Sequence, residues 1–453
     1  MEKHNFILLG VQLNQFPMWG LFLILFSVTL VITIAPWTLV KNKREIKKQV
    51  KKEIINKKIE EELKEKKMIF NYTEQELEQK KGIHTLKEIE QQPVIWNNII
   101  DLIQKDYEKI DNFLNKNLTK DTRIIFSGAG TSEFIGNTLY PYFIEQGFDV
   151  QSVSTTDIVL QPKKFLSTTK RTLLVSFARS GNSPESVATF NLANQCLENV
   201  SHLIITCNKE GKLANIKSKD NVFIFLLPEE SNDVSFAMTS SFTGMLCTAL
   251  LILDKKNYKK NLEELKIISK QTKEDMQKNH LEIKKIANID NKRITYLGSN
   301  SLKGIAQEAH LKVLELSAGD VTAFFNSPTG FRHGPKSILN KDSIVLLFMS
   351  NDEYTRNYDK DMINELYLQK QINKLVVFDY LEEKFILDRA DVLIKTGTQK
   401  VKNDILQAIN YIAMAQLYGF YKSLFLNKTP DNPCPTGEVN RVVKGVIIHD
   451  YKG

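Results

Sequence analysis

Ten short runs rich in β-branched and aromatic residues, separated by stretches with helical spacing, constrain this chain more than any other feature. The runs are Arg123–Phe126, Val150–Val153, Arg171–Ser176, Leu203–Cys207 and Val222–Leu227, then Arg293–Leu297, Val321–Phe325, Ile344–Met349, Leu375–Asp379 and Val392–Lys395. Helical patterns such as Thr131–Gln146 and Ser183–Glu198 lie between them. Strands alternating with helices predict an α/β fold of doubly wound parallel sheets. Each set of five opens on a strand entering a small-residue turn, Ser127-Gly-Ala-Gly-Thr-Ser132 in one and Gly298-Ser-Asn-Ser-Leu-Lys-Gly304 in the other. That parallel points to an internal duplication and to two tandem domains, expected at 99–270 and 271–426. Residues 68–98 read as a helical lead-in. The Lys-rich stretch Asp254–Gln277 reads as a helical connection. The tail 427–453, with Pro430, Pro433 and Pro435, is expected to be extended and to pack back over the body.

The first 67 residues are of another kind. No charge occurs between His4 and Lys41, and residues 16–36 are long and apolar enough to span a bilayer. Trp19 and Trp37 flank that stretch, and the basic run that follows would keep the carboxyl side in the cytoplasm. Residues 1–40 are therefore expected to be a membrane segment, with a buried hairpin helix as the competing reading. Residues 41–67 read as a basic helical linker, either drawn to anionic lipid or a plain spacer. A chain start near Met68 is a further reading. On the first of these, the catalytic body faces the cytoplasm from a single-pass anchor.

Composition closes several alternatives. With 42% hydrophobic and 25% charged residues the chain can build a sizeable core. The four cysteines, Cys196, Cys207, Cys247 and Cys434, include no C-x-x-C pair, so neither a disulfide framework nor a cysteine zinc site is expected. The net charge of +8 is concentrated: residues 41–67 carry twelve Lys/Arg and six Glu, leaving +2 for the 386 residues beyond. A near-neutral body is not a nucleic-acid surface, and no nucleic-acid partner is expected.

Ligands of open α/β sheets gather where strands end and helices begin. The turn 127–132 offers small residues and the hydroxyls of Thr131 and Ser132 at such a place. A second turn, Ser176-Phe-Ala-Arg-Ser-Gly-Asn-Ser183, adds Arg179, Ser180 and Ser183. Two hydroxyl-rich turns on one sheet suit a phosphomonoester, since helix amides and hydroxyls together hold anions. The same hydroxyls could instead cap the helices that follow, and the two roles use the same geometry. The first turn lacks the third glycine of a dinucleotide fingerprint and the Gly-Lys-Ser/Thr of a nucleotide P-loop.

These residues carry a family resemblance. Gly-Ala-Gly-Thr-Ser132, Ala178-Arg-Ser-Gly-Asn-Ser183 and Phe236-Ala-Met-Thr-Ser-Ser-Phe242 resemble the sugar isomerase (SIS) fold. Glu308-Ala-His-Leu-Lys-Val-Leu-Glu315 and Arg332-His-Gly-Pro335 resemble the isomerase half of glucosamine-6-phosphate synthase. The tail from Asp431 to Val446 is similar to that of the bacterial galactosamine-6-phosphate deaminase/isomerase family, also called tagatose-6-phosphate ketose/aldose isomerase. The likeness runs from about Met68 to the end.

The resemblance implies roles. Thr131, Ser132, Ser180 and Ser183 would hold the substrate phosphate, and Arg179 would offset by charge a hydroxyl missing at Ala178. Glu308, Lys312 and Glu315 fall on one helix face, with Glu315 the base that carries a proton between carbons 1 and 2. His333 would open the sugar ring and would come from the neighbouring subunit, implying at least a homodimer. Lys444 would lie near the open-chain carbonyl, and either it or Lys312 would stabilise developing charge. No metal or organic cofactor is implied. Three functions follow: a deaminating isomerase of an amino-sugar 6-phosphate, an aldose–ketose isomerase without deamination, and a sensor that binds sugar phosphate without turnover. Glu315 and His333 favour an enzyme.

Overall fold

Two five-stranded parallel sheets account for all ten runs. The structure, a computed structural model, describes residues 7–8, 11–12, 48–52, 68–217, 220–397, 401, 403–443 and 445–453. Residues 1–68 with 73–75 form one unit, in which Ile7–Leu8 pairs antiparallel with Val11–Gln12 and 48–52 are helical. The expected spanning segment 16–36 lies outside the described residues, as does most of the linker 41–67. Among the described residues no helix is long and apolar enough to cross a membrane. The other unit, residues 69–72 and 76–453, holds both sheets.

That unit opens with α1 (Ile83–Glu90), α2 (Gln92–Lys105) and α3 (Tyr107–Asn117). The first sheet follows: β1 (Arg123–Ser127), α4 (Thr131–Glu145), β2 (Asp149–Ser152), α5 (Thr155–Leu160), β3 (Thr172–Ala178), α6 (Pro184–Cys196), β4 (Val200–Thr206), β5 (Val222–Leu226) and α7 (Ser240–Leu253). After the connecting helix α8 (Tyr258–Ala287) comes the second: β6 (Arg293–Gly298), α9 (Ser301–Leu316), β7 (Thr322–Asn326), β8 (Ser343–Phe348), α10 (Glu353–Gln369), β9 (Lys374–Asp379), β10 (Val392–Lys395) and α11 (Asp404–Phe425). The strand orders are β2-β1-β3-β4-β5 and β7-β6-β8-β9-β10, so both sheets have the same winding. Registers correspond too, with Ile125 opposite Leu174 in the first sheet and Thr295 opposite Val345 in the second. Central strands β3, β4 and β8 are buried along their whole length, which fits their mainly apolar sequences.

The duplication reaches the backbone of the turns. Gly130, which precedes α4, has φ 55° and ψ −126°. Asn300, which precedes α9, has φ 50° and ψ −122°. This conformation is easy for glycine and strained for asparagine, yet both halves hold it at the same place.

The expected boundary at 270 falls inside α8, a single helix that runs ten residues beyond the expected connection. Leu262, Leu265, Ile268, Met276, Ile283 and Ile286 give it a continuous buried stripe, which the abundance of lysine in the sequence obscures. The stripe packs along α11, whose residues are buried from Ile405 to Ser423. One apolar cluster includes Ile124 and Phe126 of the first sheet, Ile294 and Tyr296 of the second, and α11. The two sheets therefore share a core.

Helix α4 lies on the first sheet, α9 lies on the second, and the two helices pack against each other. Gly304 of α9 makes this approach close: a Cβ there would sit 2.4 Å from Thr138 Oγ1 and 2.7 Å from the Thr138 nitrogen. Beside it, Asn137 Nδ2 donates to Gln307 Oε1 at 2.9 Å. Alanine is favoured over glycine inside a helix by about 1 kcal/mol. Even so, Gly304→Ala is expected to destabilise the protein by about 1–3 kcal/mol, because the clash is with backbone and forces the helices apart. Urea unfolding of the variant measures this, and a stability equal to or above wild type would show that the crossing tolerates separation.

Candidate functional site

The crossing brings the first turn of α4 onto the last two turns of α9. Lys312 and Glu308 are fully buried there, and the Glu315 side chain is about one-fifth exposed. The Lys312 ammonium meets Glu315 Oε2 at 2.6 Å, Thr131 Oγ1 at 3.0 Å and Glu308 Oε1 at 3.3 Å. One lysine thus lies between two carboxylates and a hydroxyl. Burial alone would lower the Lys312 pKa, but Glu308 and Glu315 outweigh it and the pKa rises, so the ammonium keeps its charge. Glu308 goes the other way: burial pushes its carboxyl up to about 8, against the pull of Lys312, with Glu315 adding to the rise. Near neutral pH the cluster is therefore a charged lysine with a protonated Glu308.

A cavity of about 320 Å³ opens at the carboxyl ends of β1 and β3. It is lined by Thr131 and Ser132 from the first turn, Arg179, Ser180 and Ser183 from the second, and Glu315 from α9. All five residues expected at the phosphate thus share one cavity with the expected base. Ser183 makes no capping bond to the helix it precedes. Ser180 Oγ accepts from the Asn182 amide at 3.2 Å, which leaves its own proton free to donate.

Arg179 departs from its expected use. Its guanidinium donates to the carbonyl of Phe236 at 3.2 Å and to that of Arg441 at 2.6 Å. Burial lowers its pKa, and nearby Arg441 lowers it further. It ties a loop and the tail to the turn while lining the cavity.

The tail supplies one wall, residues 439–443. Arg441, which sequence reasoning missed, donates through Nε to the Asp233 carbonyl at 2.9 Å and through Nη2 to Asn232 Oδ1 at 3.3 Å. The loop that receives it is fixed in turn. The Asp233 carboxylate accepts from the amides of Thr239, Ser240 and Ser241 at the start of α7. Glu88 of α1 accepts from the Val234 and Ser235 amides, and burial, reinforced by Asp233, pushes its carboxyl up to about 8. Upstream in the tail, Asp431 accepts from the amides of His84 and Thr85, holding the tail to α1. The expectation that the tail packs back over the body agrees with these contacts.

Two expected residues stand apart. His333 is exposed and does not line this cavity. Lys444 lies outside the described residues. A larger cavity of about 800 Å³ occupies the corresponding crevice of the second sheet, at Asn300, Ser301, Asn351, Asp352 and Asp404. Its lining mixes carboxylates and amides with the hydroxyls of Ser301 and Thr355 and the ammonium of Lys260, where the first cavity is built on two serine turns and a guanidinium.

The Glu308 value gives a stability test. Its folded-state pKa of about 8 lies above its ordinary 4.5, so its contribution is full below about pH 4.5 and is lost as pH rises towards 8. Glu308→Gln has no such proton to lose. Its melting temperature should gain on wild type steadily between about pH 5 and about pH 9, and a constant difference over that range would rule out a buried, protonated Glu308.

Comparison with known proteins agrees with this geometry. The SIS domain family matches residues 117–253, the stretch that contains the first sheet. D-galactosamine-6-phosphate deaminase AgaS of Shewanella sp. (strain ANA-3) is 41% identical over 374 residues, spanning 81% of this chain and 92% of that protein. The protein of the same name from Escherichia coli O157:H7 is 38% identical over 383 residues, spanning 82% and 97%. A crystal structure of tagatose-6-phosphate ketose/aldose isomerase from Escherichia coli superposes with a TM-score of 0.76 at 36% identity, covering 82% of this chain and 98% of that one. With its SIS domain and relatives matched over nearly their whole length, the chain belongs to the galactosamine-6-phosphate deaminase/tagatose-6-phosphate ketose/aldose isomerase family.

Proposed function

We propose that this chain converts an amino-sugar 6-phosphate, galactosamine 6-phosphate, to tagatose 6-phosphate and ammonia. One observation carries the reading: a cavity lined by Ser132, Ser180 and Ser183 is also lined by Glu315, which is paired with Lys312 beside the buried Glu308. The names of the related proteins supply the sugar.

The chemistry follows from these groups. With the ring open, carbon 1 is an aldehyde and carbon 2 carries the amine. Glu315 removes the carbon-2 proton while Lys312 or Glu308 gives a proton to the carbon-1 oxygen, forming an enolamine. Return of the proton from Glu315 to carbon 1 leaves an iminium at carbon 2, and loss of one of its N–H protons to the group that protonated the oxygen gives the imine and restores that acid. Water adds to that imine and ammonia departs, leaving the ketose. Helix amides at the start of α4 and the serine hydroxyls hold the phosphate throughout. His333, exposed on its own subunit, would serve ring opening in a neighbouring copy, and Lys444 would approach the carbonyl from the tail. A homodimer or larger assembly is part of this reading.

The deciding measurement follows ammonia and ketose together from purified protein supplied with galactosamine 6-phosphate. Stoichiometric release of both is expected. Turnover of tagatose 6-phosphate to its aldose with no ammonia from the amino sugar would replace deamination by simple isomerisation, the activity in the name of the Escherichia coli relative. Binding without turnover of either would leave a sensor.

Glu315→Gln should remove turnover yet leave substrate binding within about twofold, since it touches the base and not the serine turns. Residual activity within about tenfold of wild type would move proton transfer to Glu308. Ser180→Ala should raise KM by about tenfold with little change in kcat, the result of losing a charge-assisted bond made equally in ground and transition states. An unchanged KM would remove Ser180 from the phosphate site.

A further inference from the structure

We infer that Thr131 is a positioning residue for Lys312 and not a ligand of the substrate phosphate. The inference rests on the reading above and corrects the role its turn suggests. An ammonium group has three N–H donors and accepts nothing. Two of those of Lys312 go to Glu315 and Thr131, at 2.6 and 3.0 Å, while Glu308 stands at ion-pair distance, 3.3 Å. Thr131 is the neutral member of the three and the one that belongs to another helix. It is also nearly as buried as Lys312 and Glu308, with 4% exposure.

A hydroxyl that accepts from Lys312 has one proton left to give. The fully buried Glu308 carboxyl has no conventional hydrogen-bond partner, its contact with Lys312 being an ion pair, and Thr131 is among the groups that oppose the rise in its pKa. A phosphate oxygen would compete for that same single proton. The serines differ. Ser180 Oγ has its proton free, and the contact of Ser132 Oγ is a weak one to Met238 Sδ at 3.9 Å. The phosphate therefore falls to the serines, and Thr131 sets where the lysine stands between its two carboxylates. The ammonium stands closer to Glu315 than to Glu308, at 2.6 against 3.3 Å.

Thr131→Val keeps the shape and removes the hydroxyl. Its kcat should fall about tenfold or more, with KM and the affinity for inorganic phosphate, measured by titration calorimetry, within about twofold of wild type. The alkaline limb of its kcat profile should move up, because one of the groups that lowers the Glu308 pKa is gone. Thr131→Ser should restore kcat to within about threefold. A raised KM with weaker phosphate binding would make Thr131 a phosphate ligand, and unchanged kcat would remove it from the machinery; either result overturns the inference. Should the valine variant fail to fold, Thr131→Ala is measured the same way. If wild type proves inactive on the sugar phosphate, the proposed function fails. The calorimetric comparison then still decides between the two roles of Thr131.

Discussion

The antiparallel crossing of α4 and α9 is the contact on which the rest of the site depends. Three pairs define it: Thr138 with Gly304, Asn137 with Gln307, and Thr131 with Lys312. As the residue number falls on one helix it rises on the other. Seven residues separate Thr138 from Thr131, and eight separate Gly304 from Lys312. At about 1.5 Å per residue those spans differ by only ~1.5 Å, so the helices stay in contact over two turns. A glycine at one end allows the backbones to meet, and at the other end the approach is close enough for a hydrogen bond between lysine and threonine.

Direction matters as much as distance. The start of α4 carries the positive end of its helix dipole, which favours a phosphate. The end of α9 carries the negative end of its own, which favours a lysine. Antiparallel packing sets these two ends side by side, with Thr131 in the first turn of one and Lys312 in the last turns of the other. A buried lysine flanked by two ionised carboxylates would leave a net charge in the core, at a cost of several kcal/mol. The raised pKa of Glu308 lessens that charge by favouring its protonated form.

The sequence made the strands legible because buried parallel strands are written as contiguous apolar runs, and all ten fall where those runs lie. The turns were legible because small residues and hydroxyls mark the ends of β1 and β3. What stayed hidden depends on tertiary direction. Nothing in the tail distinguishes Arg441 from its neighbours until loop 231–239 is folded by Asp233 and Glu88 to receive it. Arg179 reads as an anion-binding cation, but its guanidinium meets two carbonyls, one from a loop 57 residues away and one from the tail 262 residues away. The boundary within α8 was misplaced because lysines on its outer face mask a stripe that becomes visible only with α11 against it.

Duplication explains the architecture without explaining the chemistry, since both halves share strand order and the strained turn at Gly130 and Asn300. The first half supplies the hydroxyl turns, but its own helix α4 brings no carboxylate base to the cavity. Glu315 comes from α9, in the second half, and one wall comes from the tail beyond it. Because α9 lies on its own sheet and reaches the other half's crevice with its carboxyl end, the cavity draws its hydroxyl turns and Glu315 from different halves. The crevice of the second sheet is lined by Asp352 and Asp404, where its counterpart has the turns after β1 and β3. Two crevices at corresponding places thus differ in what lines them, and the half that owns the second contributes α9 to the wall of the first.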